Sequence, residues 1–90
     1  MPYKDIVEQI LLRQVGILGS ARAVKLAKAL GLVFSKAAGV SSEEKIDEGF
    51  MARLAEAILT EGGELALYGS QGLAKRLARA ENLNLPGLWG

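Results

Sequence analysis

Glu43 and Asp47, and Glu44 and Glu48, stand four residues apart, so on a helix each pair puts two carboxylates on one face. Paired carboxylates can hold a divalent cation or divide acid and base work between them. The same four acids also crowd the start of a helix, where the positive end of the backbone dipole favours them in any case. Nothing at a matching position elsewhere completes a site. The chain has no His and no Cys, which removes the commonest general base, the commonest metal ligand and every thiolate. Its serines and tyrosines therefore have no imidazole to activate them. These residues give no catalytic centre, no metal site and no cofactor, and point to a protein that is not an enzyme.

The chemistry that remains is binding. Arg22, Lys25, Lys28 and Lys36 recur at helical spacing, and Lys75, Arg76 and Arg79 form a second basic group. A phosphate backbone would suit both. "LAKALGL" (26–32) resembles the opening of a DNA-reading helix-turn-helix, but its second helix would then start at Val33-Phe34. Apolar residues there lack the donors that base edges and phosphates need. "GSQG" (69–72) stands before Lys75 and Arg76. It resembles the GxxG of KH RNA-binding domains, and backbone N–H groups at a helix start can hold an anion. Lys75 sits where that pattern wants an apolar residue, and no Walker lysine follows either Gly-Ser pair. A tight turn and cap is the simpler reading of GSQG.

Net charge is +1 but segregated. Residues 9–42 hold five cations and no acid, whereas 43–64 hold seven acids against Lys45 and Arg53. Such halves suit an anionic partner, each other, or the opposite half of a second copy. The tail "NLNLPGLWG" is unusually apolar. Leu83, Leu85, Leu88 and Trp89 should not stand in water, and dock on the chain's own core or on a partner, where Trp is a favoured anchor. We take these four as the candidate partner interface. The leading expectation is a homodimeric protein-interaction module. The alternative is nucleic-acid binding through Arg22, Lys25, Lys28 and Lys36, joined by Lys75, Arg76 and Arg79. No apolar run approaches the ~18 residues that span a bilayer, and "MPYKDIVEQ" lacks a signal-peptide pattern. A membrane partner is not expected, and the default location is the cytoplasm.

Amphipathic elements must position these groups. Ile6, Val7, Ile10 and Leu11 predict a helix over 3–14, interrupted by Gly16. Ser20 can cap the next helix. Stepping 100° per residue from Arg22 gathers Ala23, Leu26, Ala27, Leu30, Gly31, Val33 and Phe34 on one side and the cations opposite. The phase does not slip at Gly31, which predicts one helix, 21–38, ended by Gly39 as a left-handed cap. Leu32 is its one large apolar residue on the basic face.

Ser41 with Glu44 makes a capping box for a helix whose stripe is Ile46, Phe50, Leu54 and Ile58, ended by Gly62-Gly63. "ELALY" (64–68) fits a short strand or a helical turn. Ser70 can cap a last helix, 71–81. An echo accompanies these elements: "QVGILGS" (14–20) aligns with "ELALYGS" (64–70), "EQIL" with "EAIL", and "AVKLAKALGL" (23–32) with "AKRLARAENL" (74–83). It suggests two helix-link-helix repeats, 3–39 and 41–82, followed by the tail 83–90. The fold expected is one all-α, four-helix domain, its two links pairing as a minimal two-stranded ribbon.

Overall fold

The computed structural model describes residues 2–35, 39–41 and 45–89. They are mostly helical, in three helices and one two-stranded antiparallel ribbon. The elements run α1 (Pro2–Leu18), α2 (Ser20–Ala29), β1 (Val33–Ser35), β2 (Gly39–Ser41), α3 (Glu48–Ala80) and a closing 3₁₀ turn (Gly87–Trp89).

α1 buries Ile6, Val7, Ile10, Leu11 and Gln14, the one-sided pattern that an amphipathic helix requires. It runs through Gly16, which lies on the exposed side and costs only about 1 kcal/mol relative to Ala. The break comes at Gly19 instead, with φ 90° and ψ 158°. That region of backbone space is essentially reserved for glycine. Gly19, not Ser20, is therefore the residue before α2, and no side chain caps that helix.

α2 does not reach residue 38. It ends at Ala29, and Gly31 adopts φ +78°. The Gly31 N–H donates to the Lys28 carbonyl at 3.0 Å and the Leu32 N–H to the Ala27 carbonyl at 2.9 Å. These two bonds make a Schellman cap, in which glycine takes the left-handed position and the apolar residue after it folds back on the helix. Leu32 is buried accordingly. Val33–Ser35 is then a strand, so no second reading helix follows and this is not a helix-turn-helix. Lys36 lies outside the described residues.

The ribbon forms here and not between the links 14–20 and 64–68, which are helical apart from Gly19. Val33 faces Ser41, Phe34 faces Val40 and Ser35 faces Gly39. Side chains alternate along a strand, so Phe34 and Val40 point together into the core while Val33 is 73% exposed. Gly39 opens β2 and caps no helix. The Val40 N–H donates to the Glu8 carboxylate of α1 at 3.0 Å, which ties the ribbon to the first helix.

Asp47 caps α3, its carboxylate accepting from the Phe50 N–H at 2.9 Å. The expected Ser41–Glu44 box is not the cap: Ser41 belongs to β2, and Glu44 is outside the described residues. α3 consists of two helical segments that meet at Gly63, whose φ 77° and ψ −174° are not helical. The helical backbone thus breaks where Gly62-Gly63 predicts, and a second segment follows at once. Residues 64–68 and 71–80 are parts of α3 rather than separate elements. The core gathers α1, α2, the ribbon and both parts of α3 around Phe50, Leu54, Ile58, Leu26 and Trp89.

Candidate interaction surfaces

The paired acids of 43–48 make no site among the described residues. Asp47 is occupied as a helix cap, Glu48 is exposed in the first turn, and Glu43 and Glu44 lie outside the described residues. No group of three or more carboxylates among the described residues could hold a metal ion. "GSQG" is helical, so it is neither a phosphate loop nor a KH-type turn. Ser70 is fully buried, donating to the Ala66 carbonyl at 3.1 Å and accepting from the Gln14 amide. It packs α1 against α3, and it caps nothing.

The basic residues divide. On α2, the Arg22 guanidinium donates to the Glu61 carbonyl and Lys25 pairs with the Glu61 carboxylate at 3.8 Å. The basic and acidic segments thus meet within one chain, through one exposed pair of the kind that contributes about 0.2–1 kcal/mol. Lys28 is exposed. On α3, Lys75 and Arg79 sit one turn apart and line a shallow recess with Asn82 and Asn84, floored by Ala78, Leu83 and Leu85. Arg76 is exposed beside them in sequence.

The four tail residues separate as well. Trp89 is fully buried in the chain's own core, its indole N–H donating to the Met51 carbonyl at 2.7 Å. Leu83 and Leu85 are half-buried against that core, and Leu88 is exposed. In this structure Trp89 is a core residue, and of the four only Leu88 presents an open apolar surface.

A different apolar surface is open. α1 turns its buried stripe inward and leaves Leu12, Arg13, Gly16 and Ile17 outside. The later part of α3 buries Ala66, Leu67, Ser70 and Ala74, which leaves Leu65 and Tyr68 outward, 84% and 57% exposed. Two recesses run between these helices. Arg13, Gly16, Ile17, Leu65 and Gly69 line one, and Gln9, Leu12, Arg13, Gly16 and Leu73 line the other. They share Arg13 and Gly16, so they form one strip. Gly16 and Gly69 put no side chain into it. Arg13 is its only charge, and its Nε–H bridges the two helices by donating to the Gly69 carbonyl at 3.1 Å.

This strip escapes the sequence reading because Leu12, Ile17 and Leu65 look like core at helical spacing. Only the crossing of α1 and α3 shows which apolar residues exceed what the core takes. Comparison with protein families, with curated proteins and with solved structures finds no match to this chain.

Proposed function

We propose that this chain is a non-catalytic helical interaction module that self-associates as a homodimer through the α1/α3 strip. The observation that carries it is the exposure of Leu65 with Ile17 in one recess and of Leu12 in the adjoining one, on a strip with one lining charge. Contiguous exposed apolar surface marks an interaction site. A net charge of +1 opposes the meeting of two copies very little. A standard interface takes about 800 Å² from each partner, against 5203 Å² of accessible surface on this chain.

Sedimentation of the full chain at tens of micromolar tests this reading. A dimer is expected, converted to a helical monomer by Ile17→Lys with Leu65→Lys. A wild-type monomer at that concentration overturns it.

The nucleic-acid reading keeps one supporting observation, the convergence of Lys75 and Arg79 with two carboxamides in one recess. It predicts duplex binding that weakens steeply between 50 and 200 mM salt, as neutralised phosphates require, and loss of binding in Lys75→Glu with Arg79→Glu. On α2, where Arg22 and Lys25 are turned to Glu61, it has less to draw on.

A further inference from the structure

The closing segment is held to the body as a bound peptide is held. Its anchor is Trp89, fully buried, with the indole N–H on the Met51 carbonyl at 2.7 Å. Two side chains of the body read the segment's own backbone: Gln71 Nε2 donates to the Leu88 carbonyl at 2.8 Å, and the Tyr3 hydroxyl donates to the Asn84 carbonyl at 2.9 Å. An aromatic anchor in a closed pocket, with main-chain groups read from the sides, is how proteins recognise short peptides. The three bonds join residues 38, 17 and 81 positions apart in sequence. Two of them hold Leu88 and Trp89 in the closing 3₁₀ turn, and the third holds Asn84 within the short non-helical connection, 83–86, that joins that turn to α3. That connection follows Asn82, which holds φ +57°.

We propose that the cleft under Trp89 is a peptide-binding site, filled here by the chain's own tail, and that the tail of a second copy can fill it instead. A segment from another molecule of identical sequence meets the same Met51 carbonyl, Gln71 amide and Tyr3 hydroxyl, so the exchange needs no new contact. This is the low-cost route by which identical elements are traded between copies. The site is distinct from the α1/α3 strip, and either proposal stands if the other fails.

Trp89 is the only Trp in the chain, so the full-length Trp89→Ala variant is dark when tryptophan is excited. A synthetic peptide of residues 83–89, LNLPGLW, then carries the whole signal. With Ile17→Lys and Leu65→Lys added to remove strip-mediated association, titration to about 1 mM should give a saturable blue shift, and a scrambled peptide should give none. No shift while circular dichroism still shows a folded helical chain overturns the proposal. Should the variant lose helicity, recovery on adding the peptide supports the site, and failure to recover overturns it. Co-refolding this variant with the chain that carries Ile17→Lys and Leu65→Lys alone should give mixed dimers whose Trp89 emission stays blue. Monomers alone overturn exchange between copies, whatever the strip does.

Discussion

The stretch from α1 through α2 and the long helix α3 are built from the same local devices and then diverge. Each bends at a glycine in the same rare backbone region, Gly19 (φ 90°, ψ 158°) and Gly63 (φ 77°, ψ −174°). Each ends in a Schellman cap. Gly31 and Leu32 close α2, while at the end of α3 the Asn82 N–H donates to the Arg79 carbonyl at 3.2 Å and the Leu83 N–H to the Ala78 carbonyl at 2.8 Å. Beyond the caps the two part. "VFS" carries β-branched and aromatic residues and makes a strand. "NLNLPG" carries Asn and Pro, which disfavour both ladders and helices, and becomes an irregular strap. A cap decides where a helix stops, and the residues after it decide what comes next.

Removing what the second cap delivers should have the largest effect. Trp89→Ala deletes a fully buried anchor and its hydrogen bond, at a cost of about 3–5 kcal/mol. For a domain of this size each kcal/mol lowers the melting temperature by roughly 4–8 °C. Leu32→Ala, the corresponding apolar residue after the first cap, should cost about 2–5 kcal/mol and fall below Trp89→Ala in a calorimetric comparison. The reverse order would mean that the ribbon, not the strap, closes the core.

The crossing of α1 and α3 sharpens the comparison at the next scale. Gln14 and Ser70 are the buried polar side chains there, and Gln14 Oε1 has no hydrogen-bond partner among the described residues. Ser70→Ala alone strands the Gln14 amide as well, at a cost of about 1–3 kcal/mol. Adding Gln14→Leu removes the polar group entirely, and the double variant should return to within about 1 kcal/mol of wild type, since replacing both partners can be neutral. Additive losses in a double-mutant cycle would break this account. The two bends come next. Gly19→Ala and Gly63→Ala each force a Cβ into the glycine region, at about 1–3 kcal/mol. At the second bend Gly62 is constrained too, because a Cβ there would lie 2.8 Å from Leu18 Cδ2 and 2.5 Å from Ala66 Cβ.

Much of the helical architecture is legible in the chain. The burial of Ile46, Phe50, Leu54 and Ile58 and of the inner face of α1 follows from spacing. α3 starts only at Glu48, however, so that Ile46 precedes the Asp47 cap. Of the acids expected in the first turns, Glu48 is the one found in the first turn among the described residues. The misreadings cluster at glycines. At Gly31 the neighbours keep helical phase, which reads as a continuous helix, yet Leu32, stranded on the basic face of that wheel, fits the turn: an apolar residue right after the left-handed one commonly accompanies a Schellman cap. Gly16 reads as a stop and is helical, whereas the stop read at Gly62-Gly63 coincides with a real break in the helical backbone at Gly63. A glycine stops a helix only where packing favours another direction, and that is a tertiary fact. The echo pairs Gly31 with Asn82 and Leu32 with Leu83 at the two caps, and fails at the links: the bends fall at Gly19 and Gly63, while its alignment pairs Gly19 with Gly69. The α1/α3 strip was invisible because apolar periodicity identifies a face and gives no account of how much of it the core can cover.

The smallest effect isolates the caps themselves. Both place one residue at positive φ, +78° at Gly31 and +57° at Asn82, and glycine takes that region without the strain a Cβ brings. Asn tolerates it at some cost. Exchanging the two residue types should therefore move stability in opposite directions. Asn82→Gly should be neutral to stabilising by a few tenths of a kcal/mol, because the strain removed exceeds the unfolded-state entropy that glycine adds. Gly31→Asn should destabilise by about 0.5–1 kcal/mol. Chemical denaturation with an unchanged slope reads both. Equal and opposite shifts would mean that the caps are interchangeable units and that the ribbon and strap owe nothing to them. A larger loss at Gly31 would mean that the turn into the ribbon, held from the other side by Glu8 on the Val40 N–H, tolerates less deviation than the turn into the strap.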